Sequence, residues 1–213
     1  MPPVPSLTPV YMSTQTTTTD QATTTWSGLD IGVPHPKRVV VVGYFSGATN
    51  ASTVTLNGLE PVALENNNGG TRYTNTYVFP VPSGTTGELI ASTSGSSRKA
   101  ASIWVYYPNR PFAISSGQDS ATGSNPISAS LTVQAGGAVF YTAECSAVLS
   151  TFTTTWGGTE SVVEDVDAQH EATSTYTMGH INILTSSVNT LTATPVDAAA
   201  KQLSAIVLGP AYG

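Results

Sequence analysis

The feature that most constrains this chain is its punctuation. Stretches rich in Val, Thr, Ile and Tyr are cut by Gly, Pro, Asn and Ser clusters at a spacing of roughly 8–12 residues, the interval of a β-sandwich or barrel. Residues 39–45 form a β-branched run that closes at Ser46-Gly47. Residues 52–56 alternate polar and apolar and end on Asn57-Gly58, a hairpin signal because both residues tolerate the positive φ that a tight turn demands. Residues 60–64, 73–81, 88–93 and 100–107 repeat the pattern. No segment sustains a helical period. The chain is expected to be all-β.

The same pattern restarts about a hundred residues on. Val39-Val40-Val41 falls opposite Val139-Phe140-Tyr141, Leu56 opposite Trp156, Gly58 opposite Gly158 and Glu60 opposite Glu160. Further along, Tyr77 falls opposite Tyr176, Leu89 opposite Leu191, and residues 100–105 opposite 202–207. The period is too long for a solenoid. It predicts two tandem, similar antiparallel β-sandwich halves, jelly-roll or Ig-like, over residues 26–112 and 127–213. Residues 1–25, rich in Pro and Thr, read as an extended N-terminal arm, and the Gly/Ser/Asn-rich residues 113–126 read as a linker. Alternation places Val39, Val41, Val54, Leu56, Ile103 and Val105 inside the first half. Val139, Tyr141, Phe152, Trp156, Leu203, Ala205 and Val207 take the inside of the second.

Composition excludes several classes. Charged residues make up 9% of the 213, against about 25% in an average soluble domain; Ser, Thr, Asn and Gly replace them. Such neutral, hydroxyl-rich surfaces go with extracellular β proteins and virion shells. The seven basic residues are scattered and the net charge is −6, so no stripe can neutralise a run of phosphates and no nucleic-acid partner is expected. No apolar run approaches the ~20 residues of a membrane helix, and residues 1–5 lack the basic and apolar regions of a signal peptide. Cys145 is the only cysteine; its alternating strand marks it as a small core residue.

Catalytic or metal-binding spacing is missing. The three histidines, His35, His170 and His180, form no paired-ligand motif, and there is no nucleophile elbow, dinucleotide-binding or phosphate-binding loop. The densest acidic group is Glu160, Glu164, Asp165, Asp167 and Glu171. Asp165 and Asp167 would share one face of an extended segment, and hard oxygen ligands at that spacing suit Ca²⁺, but the stretch reads as a solvated acidic loop. No catalytic, cofactor-binding or metal residue is assigned. Aromatic side chains are the candidate contact residues: Trp104, on the face opposite Ile103 and Val105, with Tyr106, Tyr44 and Tyr73, for a partner protein or a glycan.

Trp26-Ser27-Gly28-Leu29-Asp30-Ile31-Gly32, Lys37-Arg38-Val39-Val40-Val41-Val42-Gly43 and residues 52–58, 81–89 and 103–106, with residues 130–137 and 155–160 in the second half, resemble small β-rich virion-associated proteins of tailed bacteriophages and prophages of alphaproteobacteria. The resemblance spans residues 26–213 and transfers no active site. It implies a virion location and a non-enzymatic structural role, as a capsid decoration, head fibre or tail-associated protein. Other virion proteins would be its partners, with a homo-oligomer, a trimer by analogy. The alternative is a carbohydrate-binding module that reads host-surface glycans. No cofactor and no membrane partner are implied.

Overall fold

The computed structural model describes residues 8–47, 51–67, 72–123, 125–146, 151–171, 174–195 and 200–211. Its first eight strands are β1 (Val10–Thr16), β2 (Gln21–Asp30), β3 (Val39–Ser46), β4 (Ala51–Leu56), β5 (Ala63–Asn67), β6 (Tyr73–Pro80), β7 (Thr86–Ser97) and β8 (Lys99–Tyr106). The next eight are β9 (Ala113–Ala121), β10 (Ile127–Val133), β11 (Ala138–Cys145), β12 (Phe152–Trp156), β13 (Val162–Glu171), β14 (Ser174–Asn182), β15 (Ser187–Pro195) and β16 (Lys201–Leu208). There is no helix among the described residues.

The strands form two sandwiches of identical connectivity. In the first, the sheet β1-β8-β3-β6-β5 faces the sheet β2-β7-β4; in the second, β9-β16-β11-β14-β13 faces β10-β15-β12. All pairings are antiparallel. The order is that of a jelly roll, except that the fifth strand of each half pairs with the sixth.

Three apolar layers hold the molecule together. Val40, Val42, Tyr44, Val54, Leu56, Leu89 and Ile103 fill the first sandwich. Val139, Tyr141, Phe152, Trp156, Leu191, Leu203 and Val207 fill the second. A third cluster, with Val41, Phe45, Val78, Trp104, Tyr106, Phe140, Met178 and Ile206, lies between the two five-stranded sheets, which therefore pack face to face. The block is four layers thick, and β3, β8, β11 and β16 are buried along their whole length. That double burial explains the unbroken Val39-Val40-Val41-Val42 run: a strand covered on both faces has no polar phase.

Several expectations change here. Residues 1–7 lie outside the described residues, but the rest of the expected arm is built into the first sandwich. β1 pairs with β8 and β2 with β7, while Tyr11 and Met12 pack on two different apolar layers. A bulge between Tyr11 and Ser13 breaks the alternation that would have announced β1. The expected linker is likewise a strand, β9, paired with β16. It is legible only in three dimensions, because its small side chains alternate between half-buried and exposed.

The repeat is real in topology, but its register shifts. Leu56 pairs with Leu89 as Trp156 pairs with Leu191, and Ile103 takes the place of Ala205. In β3 and β11, however, Val40 and Val139 point into their sandwich cores while Val41 and Phe140 face the seam. The correspondence is therefore one residue off the expected alignment. Tyr77 corresponds to Gly179 rather than Tyr176, which faces the seam. A one-residue slip exchanges the two faces of a strand. For the same reason Val39 and Val41 are buried, but on the face opposite Ile103.

The turn at Asn57-Gly58 forms, with φ of 53° and 74°. Leu56 N–H donates to Leu59 O at 3.1 Å and Leu59 N–H to Leu56 O at 2.9 Å. The hairpin stops there. Pro61 has no N–H for a ladder, and the chain leaves to form β5 in the other sheet. Among the described strands none pairs with the other edge of β4.

Candidate functional site: the seam between the sandwiches

The residues expected to offer a contact surface are largely internal. Trp104, Tyr106 and Tyr44 are all 0% exposed; of the four, Tyr73 alone reaches solvent, partly, at the start of β6. Tyr44 lies in the first core, edge-on to Tyr77 at 6.2 Å, and desolvation pushes its hydroxyl pKa strongly up. Trp104 and Tyr106 are on the face opposite Ile103, as alternation predicts, but the second sandwich covers that face. The interface they serve is intramolecular.

At the seam Trp104 Nε1 donates to Asp165 Oδ2 at 2.7 Å, and His180 Nδ1 lies 2.7 Å from the same oxygen. Tyr11 packs against the indole at 6.3 Å. The geometry depends on β13, which is a strand and not the expected loop. Its register shifts between Glu164 and Val166, so Asp165 is the extra residue of a bulge and is re-aimed toward the seam. Asp167 points the other way, accepting from Phe152 N–H at 3.3 Å. The two carboxylates do not share a face. Among the described residues no group of three or more His, Cys, Asp or Glu side chains has the arrangement to hold a metal ion.

Polar contacts continue along the seam. Tyr106 OH donates to Gly136 O at 2.9 Å and Gly209 O at 3.0 Å. Thr76 Oγ1 and Ser204 Oγ are 3.1 Å apart. Asn67 Nδ2 donates to Leu203 O at 3.1 Å. At the centre the sheets come so close that a Cβ on Gly43 would lie 2.6 Å from Thr142 Oγ1 and 2.9 Å from the Trp104 ring. Glycine is required there by proximity, not by backbone conformation.

The other two histidines also have internal partners. His170 sits edge-on to Phe45 at 5.3 Å and to Tyr176 at 5.8 Å. Burial first, then the Arg98 charge, lowers its pKa to about 4. His35 Nδ1 accepts from Lys37 N–H at 3.1 Å, and its ring is edge-on to Tyr107 at 5.5 Å. Glu160 is a buried cap. Its Oε1 accepts from Leu184 N–H at 3.0 Å, Thr185 N–H at 3.1 Å and Thr185 Oγ1 at 3.1 Å, and its Oε2 from Trp156 Nε1 at 3.0 Å. Burial opposes its charge, but these hydrogen bonds outweigh burial and bring the pKa down to about 2.

A cleft of about 330 Å³ at the joint between the sandwiches is lined by Asn109, Arg110, Ile114, Gln134, Gly209 and Pro210. A smaller one of about 100 Å³ lies beside β4. On the second sandwich, Ser128, Ser130 and Thr132 of β10 register with Thr192, Thr190 and Val188 of β15, and Thr153 and Thr155 of β12 with Thr194 and Thr192. No charged residue stands in that outward set. On the first, Thr23 and Ser92 hydroxyls meet at 3.1 Å.

The fold defines the chain as a tandem eight-stranded β-sandwich protein whose halves are joined through their larger sheets. No protein-family model, curated protein or solved structure matches it.

Proposed function

We propose that the chain is a non-enzymatic structural protein of a tailed-phage virion, a capsid decoration, head fibre or tail-associated component that assembles through protein–protein contacts. The observation that carries this reading is the outward face of the second sandwich, an uncharged array of Ser and Thr hydroxyls with one exposed apolar residue, Val188, built on β10, β15 and β12. Low charge removes repulsion between closely packed neighbours, and short hydroxyl side chains lose little entropy on being covered. The side chains best suited to chemistry support the same reading. Trp104, Asp165 and His180 are committed to one another across the seam, and Glu160 to capping a loop. The glycan-binding alternative loses Trp104, Tyr106 and Tyr44, which are buried.

Quantitative mass spectrometry of purified phage particles tests the proposal. The chain is expected in the particle, with copies in the hundreds for a capsid position or a handful for a tail position. Its absence from intact particles overturns the reading.

A further inference from the structure

We infer that the free edge of β4 is a strand-addition site, one that takes an extended segment of a partner protein carrying alternating apolar residues and a basic side chain. The inference does not depend on a virion location.

Edge strands are usually defended by charges, prolines, bulges or covering side chains. The second sandwich shows such a defence. At the free edge of β12, Thr154 N–H donates to Glu164 Oε1 at 3.2 Å and Phe152 N–H to Asp167 Oδ2 at 3.3 Å. Both acids come from β13, the overhanging edge of the larger sheet.

Among the described residues the first sandwich shows no such cap. Pairing of β5 with β6 and of β13 with β14 places Leu64 where Glu164 stands, and Asn66 where Asp167 stands. Leu64 cannot accept a hydrogen bond and is 46% exposed. The Asn66 Oδ1 is buried and accepts no hydrogen bond from the described residues. β4 itself, Ala-Ser-Thr-Val-Thr-Leu, has neither charge nor proline. Leu56 N–H points away from β7, to Leu59 O; by strand alternation Val54 N–H points the same way, and no described side chain caps it. Beside β4 and β5 lies the cleft of about 100 Å³ whose lining includes Val54, Glu60, Pro61, Leu64, Asn66 and Tyr77. Leu59 and Val62, 44% and 46% exposed, stand in the connection that leads from β4 to β5.

The occupant follows from the step between the sheets. One strand laid beside β4 pairs with its free backbone and covers Leu64 on β5 below. A second copy docked edge to edge would bring its own overhanging β5 into the same space. The segment is therefore a single extended strand, with apolar residues facing Leu64 and a Lys or Arg opposite Glu60. This is recognition by β-augmentation.

The test uses the full chain and a synthetic peptide, acetyl-Thr-Val-Lys-Val-Thr-amide, followed by amide NMR. Chemical-shift changes and slowed hydrogen exchange are expected at Val54, Leu64 and Asn66. Leu64→Glu, which copies the cap of the second sandwich at an exposed position, is expected to weaken binding at least about tenfold with the fold unchanged. The same peptide N-methylated on its two valines, whose N–H groups point toward β4 when their side chains face Leu64, should bind as weakly. No change at Val54 with millimolar peptide, or undiminished binding to the Leu64→Glu protein, overturns the inference. So does a peptide-free dimer paired through β4. Absence of the chain from virions would sink the proposed function and leave this result standing.

Discussion

Trp104 and Asp165 belong to different sandwiches, and the 2.7 Å hydrogen bond between them is partly buried beside the seam where the two larger sheets meet. The same carboxylate oxygen meets His180 Nδ1 at 2.7 Å, so one acid organises donors from both halves. Removing it leaves two buried donors without an acceptor, at a cost of about 2–4 kcal/mol. Asp165→Ala is expected to lower the urea midpoint accordingly and to shift Trp104 emission to the red. A loss below about 0.5 kcal/mol would mean that water replaces the carboxylate.

Gly43 sets how closely the sheets approach. Gly43→Ala places a methyl against Thr142 Oγ1 and the Trp104 ring, and overpacking of this kind costs about 1–3 kcal/mol. Adding Thr142→Ala removes the nearest atom. The double variant is expected to recover part of the loss in thermal unfolding, whereas additive losses would contradict direct contact.

Glu160 gives the protein an acid-dependent component of stability. Its folded pKa of about 2 lies below the ordinary value of 4.5. Its stabilisation is therefore complete above pH 4.5 and lost as pH falls toward 2, an effect of at most about 3 kcal/mol. Glu160→Gln should flatten stability against pH in that window, and carboxyl NMR titration should place the midpoint near 2.

His170 acts over a higher range. Its folded pKa of about 4 is below the ordinary 6.5, so the folded state resists protonation that the unfolded chain accepts. Stability is full above pH 6.5 and declines as pH falls through 4, by at most about 3 kcal/mol. His170→Phe, which keeps an aromatic ring beside Phe45 and Tyr176, should remove the decline. An imidazole titration near 6.5 in the folded protein would contradict it.

Deleting residues 1–25 distinguishes an arm from a structural element. Because β1 and half of β2 would be lost, the truncated chain is expected to lose cooperative unfolding of its first sandwich by circular dichroism and calorimetry. A truncated protein as stable as the intact one would restore the arm.

Much of the fold is legible because β-sandwich signals are local. Asn57-Gly58 announces its turn, and the alternation of Val54 and Leu56 its buried face. The candidate site was hidden for a physical reason. A strand buried on both sides and a strand with one exposed aromatic face read alike, so Trp104 and Tyr106 carried no mark of the second sandwich that covers them. The bulge at Asp165 and the pairing of β9 with β16 likewise rest on partners distant in the chain.

The amino-acid order by itself determined that this chain is all-β, duplicated and poor in charge, since turn chemistry, alternation and composition act over a few residues. The tertiary structure alone decided which faces were buried twice, which acid capped which edge, and that β4 was left open. Each of those depends on the sheet to which a strand is added after its turn. That choice is made by packing between segments far apart in sequence.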